Sequence, residues 1–393
     1  MTSRRTATPP DDLWATRRRH PTARPVPTAR RTSLFIGLLG VLVFLNLIGL
    51  VMVLSASSVS ALDTYGSSWY VVLRQAMWLS VGAAACVFIT RVDYHRWRRF
   101  TKPVLAGSAG LLVLVLVPGV GLNINGSSRW LGYGPFTLQP SELAKLAVLV
   151  FVADLLARRA AWMNDVRLTM VPVTLVFVSV AFLLMLQPNL GTTIVLGAIV
   201  MSVLYVAGTP MGPLLGIGVV GTFAAGVLAL GASYRRDRVF AFLDPWSDPL
   251  NTGYQNIQSL VGLASGGLTG SGLGQSRAKW GFLPYAHTDF IFAIIGEELG
   301  LIGALLVVGC FVALCVLGAK TAFQAPDRFG MLLATGITAW FGVQSFVNIG
   351  AVIGILPITG VPLPFVSYGG SSLLFNMVAA GLLLNVARQA TPR

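Results

Sequence analysis

Apolar residues along this chain form long uninterrupted runs, and they do not alternate with polar residues as in the strands of a soluble core. A helix that crosses a bilayer needs roughly 20 apolar residues. Because lipid offers the backbone no other hydrogen-bonding partner, each run is expected to be helical. The pattern predicts an all-α polytopic membrane protein with ten transmembrane helices, at about 34–55, 71–90, 103–119, 142–157, 168–186, 190–207, 211–231, 289–318, 329–349 and 365–387.

The basic residues orient these helices. With the N-terminus in the cytoplasm, 20 of the 28 Lys and Arg residues fall on cytoplasmic segments, as the positive-inside rule requires. Both termini are therefore predicted to be cytoplasmic. The remaining basic residues lie at or beyond the outer face: Arg74, Arg129, Lys145, Arg235, Arg236, Arg238, Arg277 and Lys279.

The chain divides into a tail and one membrane domain. Residues 1–32 are rich in Arg, Pro and Thr without an apolar period, so they are predicted to be a disordered cytoplasmic tail. The membrane domain spans 33–388, and 389–393 form a second cytoplasmic tail. Two outer loops are long, at 120–141 and at about 232–288 between helices seven and eight, and a long loop is uncommon without a function.

Composition narrows the function. The net charge of +14 follows the membrane topology and lacks interleaved aromatics, which argues against nucleic-acid binding. The three cysteines, Cys86, Cys310 and Cys315, lie in predicted helices and form no disulfide or metal motif. The Gly-rich stretch 265–276 lacks the lysine of a Walker loop, so an ATP-driven pump is not indicated.

Asp289 is the first candidate for chemistry. It lies beside His287 and Thr288, where the second long loop enters an apolar helix, so its carboxylate can meet aqueous and lipid-phase groups. It is a candidate general base. The alternative is an N-cap, because Asp is a favoured capping residue, and the two roles are compatible.

Glu297 and Glu298 lie eight and nine residues further on, roughly 12 to 14 Å deeper in the helix at 1.5 Å per residue. Carboxylates at that depth are costly unless they are paired. Arg74 or Lys145 is the predicted partner. A structural ion pair is favoured over a contribution to a substrate pocket.

A second cluster comprises NGSSRW (125–130) and QPSELAK (139–145). Glu142 and Lys145 form an i, i+3 pair at an ordinary helix start. Together with Arg129 and the other outer cations, Arg277 and Lys279 among them, they predict a cationic surface that can hold a diphosphate. For any single arginine, a solvated loop charge is an equal alternative.

Six motifs in one order resemble the SEDS family (shape, elongation, division and sporulation), over about residues 34–388. They are NGSSRW, QPSELAK, QPNLGT (187–192), FLDPWSDPLNTGYQ (242–255), LPYAHTDFIFAIIGEELG (283–300) and LPITGVPLPFVSYGGSS (356–372). The resemblance implies ten helices in the bacterial cytoplasmic membrane. It also implies a peptidoglycan glycosyltransferase that polymerises lipid II beside a class B penicillin-binding protein. GLVMVLSASS in the first helix resembles the division branch more than the elongation branch, which implies the division septum and other divisome proteins as partners.

The resemblance also implies roles for residues. Asp289 is the retained family aspartate, expected to deprotonate the acceptor sugar, and Arg129, Glu142, Lys145, Arg277, Lys279 and His287 are expected to bind substrate. Arg74, Glu297, Glu298 and Ser371 are expected to shape the pocket. The chain departs from the family at Tyr285, often Glu, and at Asn189, often Asp, so neither position carries a catalytic role.

No cofactor is required by the sequence, although a divalent cation is allowed. Two rival functions are a lipid II flippase or other transporter, which needs a polar path to the cytoplasmic face, and a scaffold that activates the penicillin-binding protein. The scaffold would tolerate the loss of Asp289.

Overall fold

The computed structural model describes residues 33–124, 127–133 and 136–390. The predicted disordered tail, 1–32, and residues 391–393 of the second tail lie outside the described residues. Helices dominate the described part of the chain. They are α1 Ser33–Tyr65, α2 Tyr70–Arg91, α3 Thr101–Leu114, α4 Pro140–Arg158, α5 Met170–Leu186, α6 Leu190–Val206, α7 Met211–Leu230, α8 Ser233–Leu243, α9 Tyr254–Ser265, α10 Ile291–Phe323, α11 Arg328–Val352 and α12 Gly370–Gln389.

A helix occupies each of the ten predicted apolar runs, and the second long loop contributes the two additional helices α8 and α9. Six helices of the described part are long and apolar enough to cross a membrane: α1, α2, α7, α10, α11 and α12. The helices α5 and α6 are apolar but shorter.

The bundle has a buried centre and an apolar outside. Most of α4, α11 and α12 is buried, whereas Leu214 is the buried residue of α7. Large side chains on α7 such as Leu215 and Phe223 are 61% and 73% exposed. A wide exposed apolar belt is stable against lipid and unfavourable against water, so the described part is that of a polytopic membrane protein.

The first long loop contains a small sheet, which corrects the all-α prediction. Strands β1 (Leu122–Ile124), β2 (Ser127–Tyr133) and β3 (Phe136–Leu138) pair antiparallel in the order β1-β2-β3. The register places Leu131 opposite Leu138. We call the end of the bundle that carries this sheet, α8 and α9 the loop end.

Helix α10 is broken at Gly300, where the backbone has a φ of +67°. The Gly-rich segment 266–272 fills the break: Ser271 N donates to Glu297 O (2.9 Å) and Leu301 N donates to Gly267 O (2.9 Å). A Cβ on residue 300 would lie 2.3 Å from Gly270 N, so the close approach requires glycine as well. The Gly-rich stretch noted in the sequence is therefore a packing element of α10.

The segment 356–369, called the extended segment below, is not helical and contains a turn at 364–367, which corrects the prediction that the last helix begins at 365. Its side chains Val361 and Val366 are 4% and 0% exposed, so its backbone needs polar partners inside the bundle. The donors come from α2 and α11: Gln75 Nε2 donates to Ser367 O (3.2 Å) and Gln344 Nε2 to Pro362 O (2.8 Å). Two prolines at 362 and 364 are compatible with this chain path because proline cannot continue a helix.

Candidate active site

Asp289 lies in a tight turn that ends at Phe290, immediately before α10. Tyr285 O accepts hydrogen bonds from Thr288 N (3.0 Å) and Phe290 N (3.4 Å). Phe290 occupies the N-cap position of α10, and no side chain of the described residues caps this helix. The interpretation of Asp289 as an N-cap is therefore wrong, and its carboxylate is available for other contacts.

Three consecutive carbonyls hold this turn against the extended segment and α11. Tyr368 N donates to His287 O (2.9 Å), Ser367 Oγ to Thr288 O (2.6 Å), and Asn348 Nδ2 to Asp289 O (2.8 Å). Because all three bonds use backbone acceptors, they fix the path of the turn independently of the side chains at 287–289. The Asp289 carboxylate is thereby presented from a rigid backbone.

The carboxylate opens into a small pocket between α11 and the extended segment. Asp289, Asn348, Thr359 and Gly360 are among the residues that line it. Asp289 is half-buried there. A point one Cβ bond from Gly360 lies 3.7 Å from Asp289 Oδ2 and 3.8 Å from Arg238 Nη1, so the carboxylate and the guanidinium flank the same space.

The electrostatics of Asp289 suit a general base. Burial raises the pKa of Asp289 from 3.8 to about 6, against the opposing charges of Arg238 and Arg129, which lower it. Burial also lowers the pKa of the neighbouring His287. A carboxylate with a pKa nearer neutrality is a stronger base than an exposed one and is still ionised at pH 7.

Arg129 is held at the loop end by the sheet. It lies on β2, and its guanidinium donates from Nε to Gln187 O (2.8 Å) and from Nη2 to Pro188 O (2.7 Å). These carbonyls precede α6, whose N-cap is Asn189 through Thr192 N (3.4 Å). Asn189, at the position where the family often has Asp, therefore acts here as a helix cap.

The Glu142–Lys145 pair lies inside the bundle. Lys145 Nζ is 2.9 Å from Glu142 Oε1, donates to Gln344 Oε1 (2.8 Å), and lies 4.7 Å from the centre of the Trp340 ring. Lys145 and Glu142 are 1% and 2% exposed. Burial takes both away from the cationic surface where they were expected to meet a diphosphate, and Gln344 connects them to the extended segment instead.

The side chains of Glu297 and Glu298 hold α10 against residues 276–277, just after the Gly-rich segment, and against α1. Glu297 accepts from Ser276 Oγ and from Arg277 N (2.7 Å), and Glu298 accepts from Ser55 Oγ (2.6 Å) on α1. The predicted partners were wrong, because Lys145 pairs with Glu142 and Arg74 lies over the Tyr70 ring. The cation near Glu298 is Lys279, at 3.8 Å.

The remaining predicted residues are dispersed around the loop end. The Arg277 side chain is exposed, whereas Lys279 is buried and donates to Gly274 O. The His287 ring packs against Tyr368, and Ser371 Oγ accepts from Gln139 N (3.1 Å), which ties α12 to the start of α4. Within the described ranges, no group of three or more His, Cys, Asp and Glu residues comes together as a metal site.

Sequence reasoning did not select three residues that line or face the pocket: Arg238, Asn348 and Gly360. Arg238 was one of several outer cations, and it stands out only because α8 brings it to Ile358 O (3.4 Å). Asn348 is a polar residue in an apolar helix, which is costly in a membrane and was therefore a usable signal. Gly360 had no signal in the sequence.

Fold and site together define a polytopic helical membrane protein with one half-buried carboxylate and two arginines at the mouth of its bundle. A family model described as "Cell cycle protein", named for FtsW, RodA and SpoVE, matches residues 36–392. The chain therefore belongs to the FtsW/RodA/SpoVE family, the SEDS family that the motifs resemble.

Individual relatives are similar over most of their length. A "Probable peptidoglycan glycosyltransferase FtsW" from Geobacter metallireducens is 41% identical over 88% of this chain and 92% of its own. "Stage V sporulation protein E" from Bacillus subtilis is 42% identical over 92% of this chain and 99% of its own. A chain from a structure described as "Structural coordination of polymerization and crosslinking by a peptidoglycan synthase complex" has 32% identity and a TM-score of 0.72, covering 90% of this chain and 97% of that one.

Proposed function

We propose that this protein is a peptidoglycan glycosyltransferase of the FtsW type that polymerises lipid II into β-1,4-linked glycan. The relatives that carry the same activity in their names support the reaction class. The observation that carries the proposal in this chain is the Asp289 carboxylate, half-buried, of raised pKa, and facing Arg238 across an open pocket.

The proposed reaction needs one base. Asp289 takes the proton from the 4-hydroxyl of the acceptor sugar as that oxygen attacks the anomeric carbon of the donor. The new C–O bond forms while the bond from this carbon to the diphosphate breaks, so the configuration inverts from α to β. Diphosphate leaves with the electron pair and needs no paired acid, in contrast to the alkoxide of a hydrolase.

Cations replace the acid by stabilising the negative charge on the departing diphosphate. Arg129 and Arg238 are the candidates, because both are close enough to Asp289 to influence its pKa. Arg277 is an exposed cation at the loop end. Guanidinium groups match the geometry of phosphate oxygens with paired donors.

We propose a topology of ten membrane crossings, with the loop end outside the cell and both termini in the cytoplasm. The distribution of basic residues supports it. The reaction would then take place at the outer face of the cytoplasmic membrane, where Asp289 lies at the level of the lipid headgroups.

A class B penicillin-binding protein at the division septum is the partner that we propose, together with other divisome membrane proteins. The similarity to a chain of a peptidoglycan synthase complex supports a partner for this fold. The resemblance to the division branch, through GLVMVLSASS at 49–58, supports the septal location.

The test is polymerisation of purified lipid II by the full chain co-purified with its transpeptidase, whose own active site is inactivated. We expect long glycan strands on a gel. Lipid II translocation by the same preparation in vesicles is measured in parallel. Translocation without polymer would support a flippase. The absence of both translocation and polymer would support a scaffold.

The polymerisation rate is expected to depend on pH through the base. Asp289 acts when it is deprotonated, and its pKa is about 6. Below that pH the rate should fall about tenfold per unit, and above it the rate should level off. Initial rates between pH 4.5 and 8 measure this acid limb of the pH–rate profile. Co-purification of the transpeptidase at each pH is the control for an intact complex.

A further inference from the structure

We propose that Asn348 of α11 positions the Asp289 turn and that its side-chain oxygen binds an O–H or N–H group of the acceptor sugar. This inference rests on the proposed function, and it divides the site into an acceptor side at Asn348 and a diphosphate side at Arg129 and Arg238.

The orientation of the Asn348 carboxamide follows from its two contacts. Nδ2 donates to Asp289 O (2.8 Å) and to Val361 O (2.9 Å), which uses both of its hydrogens. In the opposite orientation the amide oxygen would face two carbonyl oxygens, which repel it. Nδ2 therefore joins the base to the extended segment, and these are two walls of one pocket.

The Asn348 oxygen is then a buried acceptor that awaits a donor. Asn348 is 2% exposed, and its Oδ1 has no hydrogen-bond partner in the described part of the chain. Buried polar atoms are nearly always bonded in native structures, so an unbonded one beside a reactive carboxylate indicates a place for a ligand group or water. Asn348 and Asp289 line the same pocket.

The chemistry of Oδ1 selects the acceptor sugar over the donor diphosphate. An amide oxygen accepts hydrogen bonds and donates none. A sugar that carries hydroxyl and acetamido groups supplies O–H and N–H donors, whereas a diphosphate supplies only acceptors near neutral pH. The Asp289 carboxylate also repels the diphosphate, which the arginines attract.

Gly360 leaves the space for this ligand open. Its φ is +71°, and a side chain there would enter the gap between Asp289 Oδ2 and Arg238 Nη1. A glycine at this point keeps the carboxylate and the guanidinium accessible from the same space, as a reaction that joins acceptor and donor requires.

The experiment uses the full chain in complex with its transpeptidase and two variants, Asn348→Asp and Asn348→Ser. For Asn348→Asp we expect the rate at pH 7 to fall about 100-fold, because misplacement of a catalytic group by about 1 Å has that effect. The acid limb of the pH profile should also move to higher pH, because a second carboxylate disfavours ionisation of Asp289.

Asn348→Ser replaces the carboxamide with a shorter hydroxyl, which removes the Oδ1 acceptor together with the Nδ2 donors. We expect the lipid II concentration at half-maximal rate to rise about tenfold, the effect of losing one good hydrogen bond. Ser345→Ala is the matched control. Ser345 lies on the same helix and is 4% exposed, and within the described part of the chain its Oγ donates only to carbonyls of α11. Its loss should change neither quantity.

A merely structural Asn348 would lower only the amount of active complex. An unshifted acid limb in Asn348→Asp together with an unchanged half-maximal concentration in Asn348→Ser would overturn the inference. If the proposed function itself is wrong, the wild-type complex makes no polymer. That result is distinct from any effect of the substitutions at residue 348.

Discussion

Replacement of Asp289 by Asn is expected to reduce glycan polymerisation by about 10³-fold, within the range that a general base contributes. Asn has the shape of Asp but cannot take the proton of the acceptor hydroxyl. The fold should be unaffected, because the turn is held through the carbonyls of residues 287–289 and the Asp289 side chain caps no helix.

The melting temperature of the Asp289→Asn variant distinguishes a loss of catalysis from a loss of folded protein. The pKa of Asp289 is raised in the folded protein, so ionisation at pH 7 opposes folding, and a neutral Asn removes that cost. Asp289→Asn should therefore melt at the same temperature as wild type or higher. A gain in stability with a loss of activity is typical of a catalytic group in a desolvated site.

Asp237→Asn is the control for the loss of a negative charge at the loop end. Asp237 is exposed on α8, next to Arg238 in the chain. We expect near wild-type polymer from this variant. Equal polymer from Asp289→Asn and wild type would place the base elsewhere, and the scaffold and flippase alternatives would then need to be tested.

Replacement of Lys145 by Met is expected to cause the largest loss of stability. Glu142 would remain buried without its cation, and its other oxygen, Oε2, has no hydrogen-bond partner among the described residues. Breaking a buried pair by removing one partner costs about 3–5 kcal/mol. At about 2 °C per kcal/mol, the apparent Tm of the purified complex should fall by about 6–10 °C.

The double variant Glu142→Gln/Lys145→Met is the decisive control. Removing both charges removes the unpaired carboxylate, so most of the lost stability should return. If the double variant is stable and polymerises lipid II, the pair is structural, as its burial indicates. A stable but inactive double variant would restore Lys145 to the substrate-binding role expected from the sequence. Equal melting of wild type and Lys145→Met would contradict the unpaired-charge argument.

Much of the fold could be predicted from the sequence because the bilayer imposes a simple rule. A backbone surrounded by lipid must bond internally, so each long apolar run had to be a helix, and a helix occupies every one of the ten runs. The rule says nothing about residues in loops outside the lipid or about residues shielded from lipid by protein. The sheet at 122–138, the break at Gly300 and the extended segment 356–369 were therefore not predicted.

The candidate site likewise contains one residue that the sequence predicted and others that it did not. Asp289 stood out in the sequence because acids are scarce in this chain and it lies where a loop meets an apolar helix. Asn348 was noticeable as a polar residue in an apolar helix, but its approach to Asp289 could not be predicted, and neither could that of Arg238 and Gly360, since the three come from α11, α8 and the extended segment. For the same reason the sequence predicted Arg74 or Lys145 as the partner of Glu297 and Glu298, whereas Lys279 lies near Glu298 and Glu297 accepts from Ser276 Oγ and Arg277 N.

By itself, the sequence determined which segments are helical and which acid lies at the mouth of the bundle, because both follow from the local cost of placing polar groups in lipid. Only the tertiary structure decided which cations are buried in pairs and which face Asp289. The contacts around Asp289 and the buried pair join residues far apart in the chain, such as Lys145 and Gln344, which are 199 positions apart. They depend on how helices pack against one another, which no local pattern of residues encodes.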